Sequence, residues 1–177
     1  MKNPVILKRL KAFAIDYLLI LLYIGILLCG TLLTGSLFHL QFNIADPITG
    51  EITGFLTLTL PVMLYFTLSE NGQYAASIGK RKLGLQVVTP FHKKAGFGQL
   101  LLRNGIKFLP WEMAHFYIYR LFYNDPITKN TPDWVLTGLI LAQALAVIYF
   151  LCILFNKNNR SIYEILSGTC VVETVRN

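Results

Sequence analysis

Arg9-Leu10-Lys11-Ala12-Phe13-Ala14-Ile15-Asp16-Tyr17 opens a run that stays apolar as far as Phe38. No charged side chain falls between Asp16 and His39. At about 1.5 Å per residue, a helix over that run is roughly 33 Å long, enough to cross a hydrocarbon core of about 30 Å. Arg9 and Asp16 stand seven residues apart, close to two helical turns, so they share a face. A carboxylate just inside an apolar run is costly unless paired or wet. The spacing offers Arg9 as the partner, and that pairing is expected. Arg9 alone also fits an arginine that snorkels to the headgroups.

Composition sets the class. Hydrophobic residues make up 54% of the chain and charged residues 14%, against about a quarter charged in soluble domains. The 177 residues are read as a single membrane domain, 1–177. The net charge of +7 does not point to nucleic acid, because the basic residues form short clusters flanking apolar runs, as membrane topology requires. Cys29, Cys152 and Cys170 have no metal or redox spacing. The basic N-terminal arm has the outline of a signal peptide. However, the apolar run is too long and begins at Asp16, so a retained span is expected.

Outward from this first span, about 13–38, three further apolar runs follow. The second, about 54–74, contains Pro61. The third, about 96–122, is interrupted by Arg103, Lys107, Pro110, Glu112 and His115; a re-entrant or surface-lying segment is the alternative there. The fourth, about 134–155, opens on Trp134, an interfacial anchor. Asp46-Pro47 and Thr49-Gly50 read as turn signals before the second run. Between the second and third runs lie Lys80, Arg81, Lys82, Lys93 and Lys94, with Leu83, Leu85, Val87 and Val88 making a short extended or amphipathic segment. The basic 80–94 loop is expected to meet anionic headgroups. Lys and Arg flank the N-terminus, this loop and the tail, while 39–53 has none. The positive-inside rule therefore places both termini in the cytoplasm. The fold class is all-α, a polytopic four-helix transmembrane bundle. No internal repeat is apparent.

The ionisable groups at depth are Asp16, Arg103, Lys107, Glu112 and His115. Arg103 and Lys107 are at i,i+4, and Glu112 and His115 at i,i+3. Asp16 with Glu112 and His115 suits a proton or cation relay, since carboxylates and imidazole exchange protons. Equally, Arg9 and Arg103 can pair with Asp16 and Glu112 merely to lock helices. A bundle metal site needs two Glu-x-x-His motifs and two more Glu; one motif is present, and no metal or other cofactor is expected. No nucleophile–base arrangement or phosphate-binding loop is visible, so an enzyme is not expected.

Three passages together resemble the RDD family of small prokaryotic membrane proteins. Arg9-x-x-Ala12-x-x-Ile15-Asp16 is similar to its first-helix signature. The segment Gly79-Lys80-Arg81-Lys82-Leu83-Gly84-Leu85-Gln86-Val87-Val88 is similar to its Gly-Lys-x-x-x-Gly-hydrophobic-x-Val-Val. The ending is carried by Arg160, Glu164, Gly168 and Thr169. Lys107 stands where the family often has an aspartate, and Glu164 where it has another. The resemblance implies a multi-pass protein of the prokaryotic plasma membrane; some members have been proposed as sodium/proton antiporters. A small cation/proton exchanger is the expected function, with monovalent cations and protons as cargo and a homodimer building the pathway. The alternative is a membrane scaffold whose buried charges only pair helices.

Overall fold

The computed structural model describes residues 4–38, 46–122, 132–156 and 158–174. Its longest element is α1 (Pro4–Phe38), one continuous helix that begins well before the apolar run. Next come α2 (Pro47–Gly54), a π-helical turn (Phe55–Thr59) and α3 (Leu60–Asn71), which stack end to end. This helical stretch starts earlier than the sequence suggested. Asp46 caps α2, its side chain accepting from the Thr49 N–H at 2.9 Å, and Pro47 sits in the first turn. Asp-Pro is as good a helix start as a turn, because the amide proton that proline lacks would have no partner in the first turn anyway. The chain continues through α4 (Ile78–Lys82), β1 (Leu85–Val88), α5 (Phe97–Phe122), α6 (Asp133–Phe155), α7 (Ile162–Leu166) and β2 (Cys170–Glu173).

Among the described residues, three helical stretches are long and apolar enough to cross a membrane: Val5–Phe38, Pro47–Asn71 and Asp133–Phe155. The third sequence run, α5, is long enough but too charged to join them by composition. The all-α expectation also needs correcting. β1 and β2 pair antiparallel, Leu85 opposite Glu173 and Val88 opposite Cys170. The 83–88 segment resolves as a strand because its partner lies in the distant tail, beyond the reach of local periodicity. Together α4, β1, α7 and β2 form a cap over one end of the helices, where α1 and α5 begin and α3 and α6 end.

Pro61 and Pro110, each inside a continuous helical stretch, are both answered by a tyrosine. Pro61 cannot donate to the Thr57 carbonyl four residues back, and the Tyr23 hydroxyl of α1 donates to it at 2.6 Å. Pro110 likewise frees the Ile106 carbonyl, which accepts from the Tyr149 hydroxyl of α6 at 3.1 Å. A carbonyl orphaned by proline must find a donor at membrane depth, and here each one fastens a second helix.

The structure also overturns the reading that the chain has no repeat. Ser77-Ile78 and Ser161-Ile162 open α4 and α7, Gly84 and Gly168 close them, and Val87-Val88 and Val171-Val172 lie in the strands, all at one constant offset along the chain. The backbone keeps the same offset. Ala75 and Asn159 are left-handed at φ 47° and 50°, and Gly84 and Gly168 at 66° and 62°. Gly84 N–H donates to Arg81 O and Gly168 N–H to Ile165 O, both at 3.2 Å. The long helices follow: α1 ends at Phe38 and α5 at Phe122, α3 at Asn71 and α6 at Phe155. The chain is therefore two parallel halves, each two long elements followed by a Ser-capped helical turn, a left-handed glycine and a strand. The two strands join the halves. So few side chains repeat that the pattern is plain only in the backbone.

The halves are not packed alike. α4 sits on α1 as α7 sits on α5, and α3 packs along α5. By symmetry α1 should pack along α6 and α3 as closely as α5 packs along α3 and α6, yet neither is a close helix pair. On the α3 side, α1 is held by hydrogen bonds from Tyr23 to Thr57 O and from Tyr65 to Asp16.

Candidate functional site

The pairing of Arg9 with Asp16 does not form. In a helix, side chains lean toward the N-terminus, so Arg9 leans away from Asp16 and into the cap. Asp16, 2% exposed, is instead held by the start of α4. Ser77 Oγ donates to Oδ2 at 2.6 Å, Gly79 N–H to Oδ1 at 2.8 Å, and the Tyr65 hydroxyl to Oδ1 at 3.2 Å. A glycine is required at 79: a Cβ there would overlap the Ala12 carbonyl and lie 2.9 Å from Asp16 Cγ.

Arg9 reaches the second cap unit. Its guanidinium donates to Asn159 O at 2.6 Å, to Val171 O at 2.8 Å and to Glu164 Oε2 at 3.2 Å. Glu164 is the centre of the network and fully buried. It also accepts from Arg103 at 3.1 Å and from the Ser161 N–H at 3.0 Å. Burial pushes its pKa up, but the Arg103 and Arg9 guanidiniums more than offset that, leaving it below the usual glutamate range. Arg103 of α5 also donates to Thr169 Oγ1 at 2.9 Å and lies 3.3 Å from Glu70. Glu70 completes the chain, paired with Lys80 and accepting from Asn104 at 3.2 Å. Every carboxylate oxygen of Asp16, Glu70 and Glu164 thus has a protein donor or cation beside it.

Lys107 is different. Its ammonium lies 3.4 Å from the centre of the Phe66 ring and 5.2 Å from that of Phe108, a cation–π contact, with no acidic partner among the described residues. Glu112 and His115 lie deeper on α5 and form a separate pair, Oε1 to Nδ1 3.8 Å. The suggested Arg103–Glu112 pair is therefore corrected: Arg103 faces Glu70 and Glu164, and Glu112 points along its own helix. The Glu112 Oε1 is buried without a hydrogen bond.

Between α1 and the α3–α5–α6 body lies a cavity of about 560 Å³. Arg9, Asp16, Lys80, Arg103, Lys107 and Glu164 line its cap end, while Ile20, Leu58, Ala114 and Ala142 line its deep end. Of the candidate residues, Arg9, Asp16, Lys80, Arg103, Lys107 and Glu164 meet at this cavity, whereas Glu112 and His115 do not line it. The signature positions Gly79, Lys80, Gly84, Arg160, Gly168 and Thr169 all belong to the cap. Arg160 donates to Thr169 O at 3.1 Å and to Glu164 O at 2.9 Å, fixing the turn that carries Glu164. Glu70 and Asn104 were missed. Their signal was an acid directly ending one apolar run and an amide beside Arg103.

The family model described as RDD family matches residues 4–168. No curated protein and no solved structure matches the chain.

Proposed function

The chain belongs to the RDD family, and from that premise we propose that it is a small solute-binding and transport protein of the bilayer. The cavity beside α1 carries this reading. It is lined by one chain, so a homodimer is optional for building it, and its size falls in the usual range of ligand sites, about 300–1,000 Å³. In this reading α5 crosses the membrane as the fourth span, stabilised by pairing its charges inside the bundle. The cap faces the cytoplasm of a prokaryotic cell, following the Lys and Arg bias. The Thr89–Lys94 turn, with Phe91 84% exposed beside Lys93 and Lys94, rests on anionic headgroups. The test is labelling of Ala146→Cys, on the α6 wall of the cavity, after replacing the native cysteines with serine. A lipid-soluble maleimide should react and a membrane-impermeant one should not. Labelling by both reagents would make the space a water-filled vestibule.

A second reading, exchange of monovalent cations for protons, is favoured by Glu112. Its buried, unbonded oxygen beside His115 is the kind of site that trades a proton with a cation at depth. Asp16 suits that role less, because its oxygens are already occupied by protein donors. Sealed liposomes with an internal pH dye test it. Sodium-driven proton movement that survives Asp16→Asn and vanishes in Glu112→Gln supports exchange through Glu112, and silence of the wild type rejects exchange.

A further inference from the structure

We propose that the cavity binds a single-chain anionic amphiphile, its headgroup on Lys107 and its chain among the apolar residues of the deep end, entering from the bilayer between α1 and α6. The inference rests on the solute-binding reading and names its ligand class.

Three observations converge on it. The first is charge. Four cations line the cavity, Arg9, Lys80, Arg103 and Lys107, against the three carboxylates of Asp16, Glu70 and Glu164 that lie at or beside its cap end. All three carboxylates are engaged, so none is left to bind a cation, and Lys107 is the surplus. An ammonium has three donors and no acceptor. Here one face rests on the Phe66 ring and no oxygen of the described residues answers it. An anionic headgroup at the cap end would supply both the missing charge and the missing acceptors.

The second is the gradient of polarity along the wall. Charged groups stop at Lys107, and toward the deep end the lining becomes mainly apolar, with Ile20, Leu58, Ala114 and Ala142 and only the uncharged polar side chains of Thr59 and Gln143 among them. A purely polar solute would leave this surface unused, and a purely apolar one would leave Lys107 unanswered. A molecule with one charged end and one chain matches both.

The third is the route. The two halves of the chain predict matched seams, α3 against α5 and α6 against α1; the first is closely packed and the second is not, while on its other side α1 is bridged to the α3 stretch by the Tyr23 and Tyr65 hydroxyls. The open one borders the cavity with α1 on one side and Ala142, Ala146 and Phe150 of α6 on the other. Because α1 and α6 are both apolar enough to face lipid, a gap between them leads to acyl chains rather than to water.

The test uses the full-length protein in nanodiscs of zwitterionic lipid. The probe is a fluorescent polyene fatty acid, and the corresponding polyene alcohol is the uncharged control. The acid should bind at least tenfold more tightly than the alcohol, and Lys107→Met, which keeps length but not charge, should remove that preference. Lys107→Arg should keep it, which shows that loss in the methionine variant is not misfolding. Equal binding of acid and alcohol, with Lys107→Met unchanged, would overturn the anionic headgroup while leaving the solute cavity standing. Binding of neither would overturn the cavity reading as well. Displacement of the acid by a two-chain anionic phospholipid added to the disc would overturn the single-chain assignment.

Discussion

Glu164 is the point at which the cap is fastened to the helices, and removing its charge should detach it. Glu164→Gln keeps the shape but leaves the Arg9 and Arg103 guanidiniums, whose side chains are 12% and 2% exposed, facing a neutral amide. Charge-assisted hydrogen bonds contribute about 1.5–3 kcal/mol each, and two are lost. Removing one partner of a buried pair costs about 3–5 kcal/mol by direct comparison, so the two routes agree. Arg103 retains Glu70, which favours the lower end. At about 2–4 °C per kcal/mol for a chain of this size, the melting temperature in detergent should fall by roughly 6 °C or more. Limited proteolysis should then cut first within 158–174. The pH dependence has a definite sign. The Glu164 pKa is lowered on folding from 4.5, so its contribution is fully present above about 4.5 and lost as pH drops through the lower folded value. The gap between wild type and Glu164→Gln should therefore be constant from pH 5 to 8 and close only in stronger acid. A glutamine variant that melts with the wild type at pH 7 would refute the reasoning.

Further expectations follow from the same geometry. Tyr149→Phe should cost about 1–3 kcal/mol by leaving the Ile106 carbonyl unanswered. In a Pro110→Ala background it should cost much less, because alanine supplies the N–H that proline lacks; thermal melts of the four proteins form the cycle. Gly79→Ala should destabilise by about 1–3 kcal/mol through overlap with the Ala12 carbonyl, read as faster hydrogen exchange at α4. Gly84→Ala and Gly168→Ala both place a side chain on left-handed backbone. Thermal melts should show similar losses for the two, of about 1–2 kcal/mol each, and unequal losses would argue against equivalent units.

The helices and the class of the protein were legible because apolar runs and flanking charges are local signals. The network was only half legible. Arg9, Arg103 and Glu164 were singled out, but their pairing was not, since spacing along one helix says nothing about a partner near the other end of the chain. Asp16 shows the limit well. Its cost in an apolar run was correctly read, yet its donors come from a helical turn whose position depends on Gly79 fitting against Ala12. The repeat is hard to read for a related reason: few side chains match between the halves, while the left-handed positions at 75, 84, 159 and 168 keep the backbone alike. Lys107, read as a departure from a family pattern, gains its meaning from the carboxylates around it already being engaged.

The account depends most on one seam being open while its symmetry mate is closed. Distances between paired spin labels in nanodiscs test this directly, with the native cysteines replaced by serine. One pair joins Leu18 on α1 to Val147 on α6; the other joins the offset positions, Leu102 on α5 and Met63 on α3. The account predicts a longer separation for Leu18–Val147 than for Leu102–Met63. Equal distances for the two pairs would mean that both seams are closed, and that no route from the bilayer into the cavity exists.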